Sequence, residues 1–134
     1  NILRQLLKFE NFQEGHMFVD DRWDIDPDAV IFAKRGESKY SLAIEVELTQ
    51  KVRTRVVNKF SKYGLGKNFN HVLYIFNKES CFEAYKQILG GMNDTVQGKI
   101  ILCCDMGLSF ERFNYIESTC WHREAPYSFL QIFK

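Results

Sequence analysis

Two prolines and eight glycines are few for 134 residues. That scarcity excludes a low-complexity or collagen-like chain. No apolar run approaches the ~20 residues needed to span a bilayer, and no signal peptide stands at the start. The first residue is Asn1 and not methionine, which fits a piece of a longer protein. The four cysteines, Cys81, Cys103, Cys104 and Cys120, include no Cys-x-x-Cys pair. Their spacing suits neither zinc nor a disulfide framework. Buried, reduced thiols in a cytoplasmic protein are expected instead. His16, His71 and His122 lack metal-ligand spacing, and His122 beside Trp121 reads as structural. There is no glycine-rich phosphate loop, because Gly64-Leu65-Gly66-Lys67 follows a helical stretch instead of opening one.

Acid is missing from one long window. Leu48 to Asn77 holds no Asp or Glu, but it holds Lys51, Arg53, Arg55, Lys59, Lys62 and Lys67. Just upstream, Glu10, Glu14, Asp20, Asp21, Asp24, Asp26 and Asp28 stand against one base, Arg22. The net charge of +1 hides this split. An acidic cluster beside a basic stripe suits a metal site next to phosphate. Unevenly charged solvated surface gives the same pattern.

With 46% hydrophobic and 15% aromatic residues the chain can bury a core, and its length fits one domain, 1–134. Ile2, Leu3, Leu6, Leu7 and Phe9 have helical spacing, so a first helix is expected over Ile2 to Phe12. His16 to Trp23, Ala29 to Lys34 and Tyr40 to Glu47 read as strands. Gly36 sits in a hairpin loop between the last two. Thr49 is placed to cap the next helix. That helix has an apolar stripe of Val52, Val56, Phe60 and Tyr63, with Lys51, Arg55, Lys59 and Lys62 one position earlier. Gly64 fits the left-handed stop. Val72 to Phe76 is apolar throughout, as in a strand covered on both faces. Glu79 to Leu89 reads as a helix and Lys99 to Cys104 as a buried strand. Phe113 to Ile116 and Ser128 to Phe133 are expected edge strands. The order is helix, three strands, helix, strand, helix, strand, and strand–helix–strand implies a parallel crossover.

Leu42, Ile44 and Val46 alternate with Ala43, Glu45 and Glu47. Period two puts Glu45 and Glu47 on one face, roughly 6.6 Å apart along the strand. Asp28 opens the preceding strand, so hairpin pairing brings it near Glu45. Three such carboxylates need a compensating charge, and a divalent cation is the simplest. The alternative is that the two glutamates pair with the basic helix. Lys59 lies at the border of that helix's apolar and basic stripes, from which it can lean toward Glu45 or stay solvated. Arg53, Arg55, Lys62 and Lys67, with Lys51, are candidate phosphate contacts. Phe69 and Tyr63 read as core residues and not as base-stacking platforms.

Pro27-Asp28, followed seventeen positions later by Glu45-Val46-Glu47, resembles the PD-(D/E)XK nuclease-like superfamily. Glu47 stands where that superfamily usually has lysine, although some of its restriction endonucleases also carry glutamate there. The set Pro27-Asp28-Ala29, Glu45-Val46-Glu47 and Lys59 to Tyr63 is also similar to plasmid replication-relaxation proteins. The resemblance covers about a third of the chain. It implies an α/β fold with a mixed central sheet flanked by helices, the restriction-endonuclease-like αβββαβαβ core. It implies Mg²⁺ or Mn²⁺ held by Asp28, Glu45 and Glu47, with Lys59 in place of the missing lysine and Glu14 as an occasional further ligand. The implied activity is metal-dependent hydrolysis of DNA. A non-catalytic DNA-binding module acting with plasmid replication proteins, or as a homodimer, is the alternative, and a protein-interaction scaffold is a third reading.

Overall fold

A computed structural model of the chain describes residues 25, 27–35, 38–105 and 119–128. The expected first helix, the strand His16 to Trp23, Glu14 and the edge strand Phe113 to Ile116 lie outside the described residues. So does all but Ser128 of the expected strand Ser128 to Phe133.

The protein is α/β, with a mixed six-stranded sheet flanked by helices, an architecture compatible with a restriction-endonuclease-like core. Strands β1 (Ala29–Arg35) and β2 (Ser38–Glu47) form the expected antiparallel hairpin, with Ala29 opposite Ile44. Helix α1 (Arg53–Leu65) then crosses to β3 (His71–Phe76), which lies parallel to β2. Helices α2 (Glu79–Gly90) and α3 (Asp94–Lys99) lead to β4 (Ile100–Cys104), again parallel. An antiparallel hairpin, β5 (Thr119–His122) and β6 (Ala125–Ser128), completes the order β1-β2-β3-β4-β5-β6.

One face of the sheet carries Val30, Ala43, Val72, Tyr74, Phe76, Ile100 and Leu102 against the three helices. The other face buries Ile31, Leu42, Ile44, Leu73, Ile75, Ile101, Cys103 and Cys120. β3 is therefore covered on both sides, as its unbroken apolar run requires. Aromatic edges fasten the helices to it. Phe60 meets the Tyr74 ring at 5.1 Å and the Tyr85 ring at 5.9 Å, and Phe76 meets Tyr85 at 4.9 Å, all near perpendicular. Each such pair adds about 0.5–1.5 kcal/mol beyond its buried area.

Several local expectations need correction. Val52, not Thr49, is the N-cap of α1, and no side chain caps the helix. Thr49 Oγ1 instead accepts from Lys51 Nζ at 2.7 Å. Val52 is 65% exposed, so the buried stripe is Val56, Phe60, Tyr63 and Gly64. Gly64 does not stop the helix. A Cβ there would lie 2.7 Å from Val96 Cα and 2.6 Å from its Cγ2, so glycine is needed where α3 crosses α1. The short helix α3 and the β5–β6 hairpin were not expected. Helix α3 is too short for a 3.6-residue pattern, and its mark is the Asn93 carboxamide, which accepts from Val96 N at 3.0 Å. The hairpin turns at Arg123 and Glu124, both at positive φ, without the Asn or Gly that announces such turns.

Gly64→Ala tests the crossing. Ala is the better helix former by about 1 kcal/mol, yet overpacking against backbone costs about 1–3 kcal/mol. Net destabilisation is expected in a urea titration. A stabilised variant would show that α1 and α3 do not approach this closely.

Candidate functional site: a buried glutamate held by a lysine and a tyrosine

β2 carries Glu45 and Glu47 on the helix-covered face, in register with Tyr74 and Phe76 of β3. Glu45 is only 3% exposed. α1 answers it with two residues one turn apart. Lys59 Nζ lies 3.1 Å from Glu45 Oε1, and the Tyr63 hydroxyl donates a short hydrogen bond to the same oxygen. Lys59 remains 39% exposed along its side chain, so it bridges the interior and the solvent. Glu47 takes a short hydrogen bond from the Tyr85 hydroxyl on α2. Tyr85 also receives Lys51 N at 3.3 Å, which ties the start of α1 to α2.

Asp28 lies where the hairpin register predicts, one step beyond Ala29 and opposite Glu45. Its backbone N donates to Ile44 O at 3.0 Å, and its Oδ2 accepts Val46 N at 2.7 Å. The carboxylate thus replaces a ladder carbonyl at the end of β1. Asp28 is exposed, whereas Asp105, just after β4, is buried and donates its N to Phe76 O at 2.7 Å.

Burial holds the Glu45 carboxyl above its ordinary range, and the nearby Asp28 charge pushes the same way. The Tyr63 hydroxyl and Lys59 oppose that shift. Burial also raises Tyr63, Tyr74 and Tyr85. These phenols stay protonated at neutral pH, and Tyr63 and Tyr85 act as donors to the acids. Two same-face glutamates are therefore met from inside the chain by one charge, that of Lys59 on Glu45, and by two neutral phenol donors.

The donor set does not make a metal cage. Among the described residues, no three His, Cys, Asp or Glu side chains are grouped to hold an ion. Asp28, Glu45 and Glu47 each give an oxygen to a protein donor, and Lys59 pairs with the same Glu45 oxygen that Tyr63 reaches. The sequence left Lys59 open between leaning toward Glu45 and staying solvated, and the structure gives the lean with part of the side chain still exposed. The Tyr85–Glu47 bond was not legible there, since its partners lie 38 residues apart with no local signal.

Arg53, Arg55, Lys62 and Lys67 are exposed, and none of them is ion-paired among the described residues. Arg55 and Lys62 are seven apart and share the side of α1 opposite Phe60. Lys51 turns its ammonium back onto Thr49 O and Oγ1. Phe69 is buried and packs beside Tyr63, as expected of core residues.

Comparison with family models gives no match, and comparison with curated proteins gives none either. No helix among the described residues is long and apolar enough to cross a membrane.

At the other end of the parallel strands, His71 opens β3. Its Nδ1 lies 2.7 Å from the Tyr40 hydroxyl, and its ring meets the His122 ring at 5.7 Å. Burial, then His122, Arg123 and Lys99, lowers His71 to about 4.

Two expected outcomes follow from these shifts. A charge on Glu45 costs stability that appears as pH rises through its raised pKa, and Lys59 offsets that cost. Lys59→Met should therefore destabilise the fold at pH 7 but hardly below pH 4.5, the ordinary value for glutamate. The loss should be about 1–2 kcal/mol, less than the 3–5 kcal/mol of a fully buried pair, because water reaches Lys59. Adding Glu45→Gln should restore most of it, and a double-mutant cycle with no coupling would dissolve the pair. His71 works in the opposite sense. Its lowered pKa means stability present above pH 6.5 is lost as pH falls toward about 4. His71→Gln should flatten the unfolding free energy across that window.

Proposed function

We propose that this chain is a DNA-binding domain on a restriction-endonuclease-like core. It would serve the replication or mobilisation of a plasmid or similar element, acting in the cytoplasm. The observation that carries this reading is the outer side of α1. Arg55 and Lys62 there, with Arg53 at the start of the helix and Lys67 just beyond its end, are exposed and unpaired among the described residues. The first turn of that helix contains no acid to neutralise them. Unpaired cations on a rigid element release counterions from a phosphate backbone when they bind it. The carboxylates nearby are already engaged by donors of the chain, which supports binding over cleavage. A homodimer, or a complex with other replication proteins, is the partner arrangement this reading implies.

Metal-dependent phosphodiester hydrolysis by Asp28, Glu45, Glu47 and Lys59, with Mg²⁺ or Mn²⁺, is the second reading. One observation favours it: a buried carboxylate with a lysine 3.1 Å away and an aspartate opposite it in the ladder. The grouping of those acids does not fit a metal, so no step through one is drawn.

The experiment is a salt titration of duplex binding. The log–log slope should be steep, and Arg55→Ala with Lys62→Ala should reduce it by roughly 0.9 per phosphate contact removed. Affinity that ignores salt would remove the DNA reading in favour of a protein partner. Supercoiled plasmid in Mg²⁺ or Mn²⁺ tests the second reading. Nicking that falls roughly 10²–10³-fold in Lys59→Ala would restore hydrolysis, and intact plasmid would leave a binder.

A further inference from the structure

A second cationic feature lies at the end of the sheet away from Glu45 and Glu47. The register sets it there. His71 is the first residue of β3, Lys99 immediately precedes β4, and His122 ends β5 near the start of β4. Arg123 follows in the tight turn to β6.

Two local costs hold Arg123 in place. Its backbone is left-handed, at φ 52°, where a non-glycine residue is strained. Gly98 lies inside helix α3, where glycine is worse than alanine by about 1 kcal/mol. A Cβ on Gly98 would lie 2.5 Å from one terminal nitrogen of Arg123 and 3.0 Å from its Cζ. The missing methyl is the space the guanidinium occupies. Among the described residues Arg123 makes no ion pair. Glu124, its neighbour, is directed toward Gly90 instead, with Oε1 3.3 Å from where a Cβ there would be.

The surroundings are cationic or neutral. Lys99 is partly buried and donates to Gly66 O. His122 Nε2 lies 2.9 Å from Gly98 O, which accepts from it, and the His122 ring also meets Tyr127 at 6.4 Å. His71 faces Tyr40 and His122. No carboxylate is among the groups that shift His71, His122 or Lys99.

We propose that Arg123 and Lys99, backed by the His71–His122 pair, form a site for a phosphate group. The guanidinium offers a fork matched to two phosphate oxygens, and the ammonium supplies a point charge. His71 and His122 stay uncharged at neutral pH, so the binding charge comes from Arg123 and Lys99, and the two rings report on the site. The ligand chemistry is a phosphate monoester or diester, either a free phosphate compound or the backbone of a nucleic acid. This inference stands without the α1 reading, because none of its residues lies on that helix.

The test uses the whole chain and histidine NMR signals. Inorganic phosphate at pH 7.5, where it is mostly a dianion, should shift the His71 and His122 resonances saturably. Arg123→Gly should weaken phosphate binding about tenfold or more, the usual worth of a charged hydrogen-bonding pair. The same change relieves the left-handed strain, so its melting temperature should not fall. Lys99→Met is the second variant and should also weaken binding. A short DNA duplex is the other arm. If it shifts both histidines, the source is a nucleic-acid backbone, and if only free phosphate does, the source is a small phosphate compound. Histidine signals that ignore phosphate, or Arg123→Gly that binds it as tightly as the original chain, would overturn the site.

Discussion

The fold depends on placing a carboxylate where the helices meet the sheet. A strand between two apolar layers rarely carries acids at successive same-face positions. Here β2 does, and its neighbours are arranged accordingly. Lys59 and Tyr63 reach one oxygen of Glu45 from α1, and Tyr85 reaches Glu47 from α2. The two helices are thereby located by polar contacts as well as by Phe60, Tyr74 and Tyr85 packing edge to face. Removing the acids would leave an apolar interface with less reason to prefer one seating of the helices over another.

Much of this was legible in the residues. The alternation through Leu42 to Glu47 gave the strand and the shared face of its acids, and the hairpin register placed Asp28 opposite Glu45. Four-residue spacing on α1 put Lys59 and Tyr63 side by side. What the residues left open was whether a divalent ion or the basic helix would answer the charge. Lys59 and Tyr63 of that helix reach Glu45, while the phenol that reaches Glu47 comes from a helix far along the sequence. Gly64 misled for a related reason. A glycine near a helix end has a familiar local explanation, while its actual neighbour, Val96, belongs to a later helix. The β5–β6 turn was invisible because Arg123 and Glu124 adopt left-handed backbone that residues of their kind seldom take.

Among the described residues, β2 and β3 run from an end with the cations Lys99 and Arg123 to an end with the acids Asp28, Glu47 and Asp105. Helix α1 carries further cations along its outer side. Association with any highly charged partner would be oriented before contact.

Helix α1 is fastened at separate places along its length: to Glu45 through Lys59 and Tyr63, and to Val96 at Gly64. A rod held that way cannot roll about its own axis. Arg55 and Lys62, about 10 Å apart along that axis, therefore keep a fixed bearing like teeth on a comb. A partner meeting them need not restrain the helix first, so the ordering cost of docking falls mainly on the tips of two side chains.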